Sequence, residues 1–172
     1  MLIEKPMTRE NADYAEFKRL YFTAFPREER IPLSALLEKD ASSGLFACYD
    51  GEVFCGFYAA LSFGDITHIL FLAVPEALRG CGYGTRLLAL IAARYSGQRI
   101  IVDIESEDPA APNNAQRIRR KAFYLRSGYV ESGIEYVWRG VPYQILIRGG
   151  SISEGEFEAF WDALESRAQN HA

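Results

Sequence analysis

The run Arg79-Gly80-Cys81-Gly82-Tyr83-Gly84-Thr85 has the residue types and spacing of an anion-binding turn. It follows an apolar stretch, Ile69-Leu70-Phe71-Leu72-Ala73-Val74, and opens a segment in which Leu87, Leu88, Ile91, Ala92 and Tyr95 form a helical stripe. The first N–H groups of a helix lack internal partners, and the helix dipole is positive there. Glycines let the backbone approach an anion with no side chain in the way. A phosphate-bearing ligand seated on Gly80 to Thr85 is the first expectation.

Spacing narrows the ligand. A dinucleotide fingerprint reads G-x-G-x-x-G, and a P-loop ends in G-K-[ST]. This chain has G-x-G-x-G with no lysine after the last glycine, so neither template fits. A Gly-rich strand-to-helix turn without a ligand has the same local spelling, and the rest of the chain bears on the choice. The string Arg79-x-x-Gly82-x-Gly84 resembles the Q/R-x-x-G-x-G/A signature of the GNAT superfamily of acyl-CoA-dependent N-acyltransferases. A second stretch, Ala122-Phe123-Tyr124-Leu125-Arg126-Ser127-Gly128-Tyr129, resembles that family's F-Y-x-x-x-G-F/Y segment and follows in the expected order. The resemblance covers residues 1–148, with the specific motifs in these two segments.

The resemblance implies a set of roles. Arg79, Gly80, Cys81, Gly82, Tyr83, Gly84 and Thr85 would hold the pyrophosphate of coenzyme A, chiefly through backbone N–H groups. Splaying of the fourth and fifth strands would open a slot for pantetheine, lined by backbone groups of Leu72, Ala73 and Val74, with the oxyanion donor at Ala73-Val74. Tyr124 would be the general acid that protonates the departing thiolate, and a phenol of pKa about 10 suits that task. At about 100° per residue, Asn113, Arg117, Arg120 and Tyr124 share one helix face, while Ile118, Ala122 and Leu125 form an apolar one. Family members often carry Asn seven residues before this tyrosine, where this chain has Arg117. Asn113, Arg117 and Arg120 are therefore expected to meet the cofactor or an anionic acceptor; a solvated face is the alternative for Arg117, Arg119, Arg120, Lys121 and Arg126.

An attacking amine must lose a proton. Glu105, at the end of an apolar strand that also carries Asp103, is the expected base. His68, acting through a water, is the runner-up. Glu105 as the salt-bridge partner of an arginine on the next helix, and His68 as a satisfied interior imidazole, are the structural alternatives. Cys81 occupies a variable position of the signature, and a bystander role is expected for it. Acceptor recognition is expected from Tyr21, Phe25, Arg27, Glu29, Arg30 and the Trp138–Tyr143 turn. This mix leaves small amines, amino-acid derivatives, antibiotics and peptide N-termini open.

These groups need a scaffold. The 172 residues suit one domain, and 49% apolar with 24% charged residues is ordinary for a globular chain. A net charge of −4 argues against general nucleic-acid binding. No apolar run is long enough for a membrane span, and the N-terminus reads without a signal-peptide pattern. The three cysteines, Cys48, Cys55 and Cys81, suit a reduced, cytoplasmic setting. With only His68 and His171, a His-based metal site is not expected.

The elements read as a strand over Met1–Met7, a helix capped by Thr8 and stopped at Phe25-Pro26, and a short helix after Pro32 through Leu36-Leu37. A break at Ser42-Ser43-Gly44 precedes strands over Leu45–Tyr49, Val53–Phe63 and Asp65–Val74, with Asp50-Gly51 as a hairpin signal. After the glycine loop and its helix, stopped at Gly97, come a strand over Arg99–Glu105 and a helix capped by Asn113 or Asn114 and ended at Gly128. A hairpin turning at Arg139-Gly140 follows. Ser153 and Glu156 form a capping-box pattern for a last helix over 153–168, whose Phe157, Phe160, Trp161 and Leu164 face the protein's own core or a dimer partner.

The order implies an α/β fold of the GNAT type: one mixed sheet of about seven strands flanked by helices, with an extra C-terminal helix. The expectation is an N-acetyltransferase using acetyl-CoA and a small-molecule or peptide amine, without metal, as monomer or homodimer. A catalytically inactive CoA-binding regulatory module is the second reading, and an ATP-using enzyme the third.

Overall fold

The computed structural model describes residues 1–37 and 43–170. Ser42 of the expected break and His171 lie outside them. Seven strands form one mixed sheet in the order β1-β2-β3-β4-β5-β7-β6. They are β1 (Leu2–Pro6), β2 (Ser43–Asp50), β3 (Val53–Phe63), β4 (Ile66–Ala73), β5 (Arg99–Glu105), β6 (Val130–Trp138) and β7 (Val141–Arg148). The helices are α1 (Tyr14–Ala24), α2 (Leu33–Leu37), α3 (Tyr83–Arg94), α4 (Asn114–Arg126) and α5 (Glu154–Asn170). Two compact units make up the chain: Met1–Leu61 with Ile69–Arg94, and Ser62–His68 with the residues from Tyr95 onward.

In the first unit, the core gathers Phe17, Leu20 and Tyr21 of α1, Leu36 of α2, and Leu45, Ala47, Phe57, Ala59, Phe71 and Ala73 of β2 to β4. Edge-to-face ring pairs hold it, Phe17 to Phe57 at 4.8 Å and Tyr21 to Phe71 at 5.2 Å. Such pairs add about 0.5–1.5 kcal/mol each beyond their burial. Helix α1 begins at Tyr14 rather than after Thr8. The intervening residues turn instead: Asn11 N–H bonds Thr8 O, and Asn11 Oδ1 accepts from Asp13 N–H at 3.0 Å. An Asx turn thus competes with helix here. The helix stops at Phe25 (φ −123°), because a residue before proline is driven out of the α region.

In the second unit, β4 pairs β5 in parallel, with Ile66, Thr67 and His68 opposite Arg99, Ile100 and Ile101. Strand β7 runs antiparallel to both β5 and β6. The β6–β7 turn places Arg139 at φ 50° and Gly140 at φ 79°, the type I′ pair that matches strand twist. The capping box of α5 forms: Glu156 N–H donates to Ser153 Oγ, and Ser153 N–H to Glu156 Oε2 at 2.9 Å. Phe160 of α5 is buried within this unit, and Trp161 stands edge-on to His68 at 5.2 Å.

Candidate active site

Strand β4 ends at Ala73, and a 3-10 turn over Glu76–Leu78 leads into the glycine loop. Gly80 (φ 77°) and Gly82 (φ 80°) both lie in the left-handed region that L side chains rarely adopt. The first bond of α3 runs from Arg86 N–H to Gly82 O, at 3.1 Å. The N–H groups of Gly82, Tyr83, Gly84 and Thr85 precede it and have no helical acceptor. A Cβ added at Gly80 or Gly82 would meet no atom within 4 Å. The glycines therefore supply backbone shape, and the room beside them stays open. This cradle fits a pyrophosphate: backbone donors, a helix dipole and no obstructing side chain.

Side chains of the first turn brace the cradle. Tyr83 OH donates to Asp50 Oδ2 at 3.2 Å, and Arg86 Nη1 donates to the same oxygen at 2.8 Å. Hydrogen bonding from Arg86 holds the Asp50 carboxyl below its ordinary pKa. Of the expected loop contacts, Tyr83 thus directs its phenol to the β2–β3 turn. Arg79 is exposed and its Nε donates to Val74 O at 3.4 Å. Cys81 and Thr85 are exposed.

At the mouth of β4, Ala73 is buried, while Leu72 and Val74 are half-buried. Gly56 of β3 lies against this point, at φ 142°. The β2–β3 register shifts there, from Cys48 opposite Gly56 to Tyr49 opposite Phe54, leaving Cys55 as the extra residue of a bulge.

The second unit holds the carboxylates and the phenol. Asn113, Arg117 and Arg120 of α4 converge on Glu105. Arg117 Nε lies 2.7 Å from Glu105 Oε2 and donates to Asn113 Oδ1 at 2.9 Å. Asn113 Nδ2 donates to Glu105 Oε2 at 3.0 Å, and Arg120 Nη1 is 4.0 Å from Oε1. Arg117 Nη1 also donates to Ser106 O at 2.9 Å. Asn113 sits at the N-cap position expected for it, yet its side chain makes no cap bond and serves this cluster instead. The polar face of α4 is the buried one, with Arg117 at 9% exposure, while Ile118 (45%) and Leu125 (42%) face outward.

Tyr124 closes that face at 6% exposure. Its ring packs on Tyr129 at 5.3 Å, and its hydroxyl makes no hydrogen bond to another described residue. Burial drives its pKa well above the ordinary value, so the phenol keeps its proton at neutral pH.

A second polar group was not legible as a set. His68 Nε2–H donates to Asp103 Oδ1 at 2.8 Å, and Tyr136 OH donates to Oδ2 at 2.6 Å. Burial by itself would raise the Asp103 carboxyl; the charge of His68 and the two hydrogen bonds outweigh it, and its pKa lies below the usual range. Tyr136 joins only through strand register, and nothing in its local sequence signals that. His68 is 2% exposed and so interior, but it is not the fully satisfied imidazole of the alternative: Nε2 is paired, while Nδ1 is buried with no hydrogen-bond partner among the described residues.

Two expected acceptor contacts are corrected by burial. Tyr21 is fully buried and its hydroxyl both donates to Ile31 O and accepts from Ile31 N–H, each at 2.9 Å. Tyr143 is likewise buried, at 7%. Among the described residues no group of three or more His, Cys, Asp and Glu side chains is arranged to hold a metal. No helix there is long and apolar enough to cross a membrane.

Solved structures share this fold. A protein from Bacteroides thetaiotaomicron assigned to the GNAT acetyltransferases is 22% identical, with 95% of this chain and 96% of that chain covered and a TM-score of 0.78. A Bacillus subtilis acetyltransferase in complex with CoA is 15% identical, with 87% and 99% covered and a TM-score of 0.60. The ribosomal-protein-S18-alanine N-acetyltransferase of Escherichia coli is 14% identical, with 89% and 96% covered and a TM-score of 0.62. No curated protein matches the chain significantly. The family model described as "Acetyltransferase (GNAT) family" matches residues 12–129, more than half of the chain. The chain thus belongs to the GNAT acetyltransferase family.

Proposed function

We propose that the protein transfers an acetyl group from acetyl-CoA to a primary amine by direct attack. The observation that carries this reading is the glycine loop: two left-handed glycines, N–H groups at the start of α3 with no helical acceptor, and open room beside them. Acetyl-CoA supplies an activated thioester carbon.

The protein's own groups do the rest. Amides of Gly80 and of Gly82 to Thr85 bind the pyrophosphate, with Arg79 beside them; the Cys81 N–H is taken by Leu78 O at 3.4 Å. Backbone groups of Leu72 to Val74 bind the pantetheine arm, and the Val74 N–H donates to the acyl oxygen as charge develops there. The amine nitrogen bonds the acyl carbon, the C–S bond breaks, and Tyr124 gives its proton to the sulfur. The proton lost by the ammonium goes to a carboxylate or to water.

Glu105 is the proposed acceptor of that proton. Its hydrogen bond from Asn113 and its ion pairs with Arg117 and Arg120 favour a second role, anchoring α4 to the end of β5. Glu105→Gln separates the two. A base predicts a large fall in kcat with stability kept; an anchor predicts lower Tm with kcat largely retained. Of Arg117 and Arg120, the cations that share the Tyr124 face, Arg120 keeps 37% side-chain exposure and so has surface left for the cofactor.

The test is release of CoA thiol from acetyl-CoA over a panel of small amines, amino-acid derivatives and peptide N-termini. Turnover with any of them supports the reading. Tight CoA binding with no turnover by any amine would favour a CoA-binding regulatory module. The cytoplasmic setting and a monomeric or homodimeric state belong to the same proposal.

A further inference from the structure

We infer that Gly56 is a positioning residue for acyl transfer: its missing side chain seats the Ala73 carbonyl and so aims the Val74 amide. The inference rests on the proposed acetyl transfer and adds a residue to it.

Three observations meet at this point. A Cβ built on Gly56 would lie 2.2 Å from Ala73 O and 3.3 Å from Val74 Cα, far inside van der Waals contact. Gly56 adopts φ 142°, outside the comfortable range of L residues. The bulge that inserts Cys55 into β3 sets Gly56 at this place, opposite Cys48. Gly64, Gly80 and Gly82 also have positive φ, yet an added Cβ meets nothing at any of them. Gly56 alone among these four combines a strained torsion with a backbone oxygen filling its side-chain position.

The consequence follows from peptide geometry. The Ala73–Val74 bond is trans, and a trans peptide points its C=O and N–H in opposite directions. With Ala73 O directed into the Gly56 notch, the Val74 N–H is directed away from β3. That N–H makes no loop or turn hydrogen bond among the described residues. A donor fixed before the reaction costs no reorganisation during it. A side chain at position 56 would push the carbonyl out and rotate the amide with it.

The experiment compares four proteins: wild type, Gly56→Ala, an amide-to-ester analogue at Val74 that replaces this N–H by oxygen, and the double variant. Each is read by kcat with acetyl-CoA, CoA affinity and circular dichroism. The expected result is a kcat loss of roughly 10- to 100-fold in each single variant with CoA affinity little changed. Groups that act through one contact are not additive, so the double variant should fall no further than the ester. A wild-type kcat in folded Gly56→Ala, or losses that multiply in the double variant, overturns the inference. Should Gly56→Ala not fold, the ester decides alone: unchanged kcat overturns, and a kcat loss with CoA affinity kept supports. Absence of turnover by the wild type with any amine would instead sink the acetyl-transfer reading itself.

Discussion

The glycine loop and the polar face of α4 both looked, from residue types alone, like surfaces for an anionic cofactor. They treat their donors in opposite ways. At the loop, backbone N–H groups stand at a helix start with no helical acceptor and open room beside them. On α4, Asn113, Arg117 and Arg120 turn to Glu105 of the same unit. The difference is one of reach. A backbone donor at a helix N-terminus cannot bend to find an internal partner, whereas a long guanidinium can. Open donors are therefore better evidence for a ligand than a count of cations.

Four measurements would break or sharpen that contrast. The largest effect is expected at the loop: Gly82→Val should abolish CoA binding by calorimetry while the far-UV spectrum is retained. A β-branched residue is poorly tolerated at φ 80°, and its side chain would fill the open room. Retained affinity would remove the loop from the site. Next, Tyr124→Phe should lower kcat about 100-fold with acetyl-CoA binding nearly unchanged. Because burial holds that phenol's pKa above its ordinary value, its proton should not set the alkaline limb of a pH–rate profile below about pH 10. An unaltered kcat would end the general-acid assignment.

Third, Arg117→Ala should destabilise the fold by about 3 kcal/mol, since it removes the nearer guanidinium, the one at 2.7 Å, from the largely buried Glu105 carboxylate. CoA affinity should change little. If affinity instead falls as far as in Gly82→Val, α4 is a cofactor surface and the contrast fails. The smallest effect is the pH dependence of Asp103. Its folded pKa is depressed, so its contribution is present above the ordinary Asp value of about 3.9 and is lost as pH falls through the lower folded value. Urea midpoints of wild type and Asp103→Asn should converge below pH 4; a constant gap would mean that the carboxylate's charge is not what stabilises.

Several elements were legible from pattern. Strands β3 and β5 run over the bounds expected for them, Val53–Phe63 and Arg99–Glu105. The capping box at Ser153 and Glu156 forms as spelled. Thr8 misled because the Asx turn at Asn11 delays the helix to Tyr14. The face of α4 was read correctly as a face, but nothing local told that its charged side is the buried one. That outcome needs Glu105, which lies on another element. The Asp103 group is harder still, since His68, Asp103 and Tyr136 come from three strands.

What the amino-acid order determined by itself was local: which segments are strands or helices, where glycine permits a turn, and hence a strand–loop–helix unit shaped for phosphate. These depend on torsions and spacings within a few residues. Only the tertiary structure decided which side chains are engaged and which backbone groups are aimed. Arg117 meets Glu105 because α4 packs on the end of β5, whereas His68 meets Asp103 and Gly56 receives Ala73 O because strand register and a single-residue bulge bring distant positions together. A one-residue slip of a strand would turn its side chains to the other face, and no short stretch of sequence records the register.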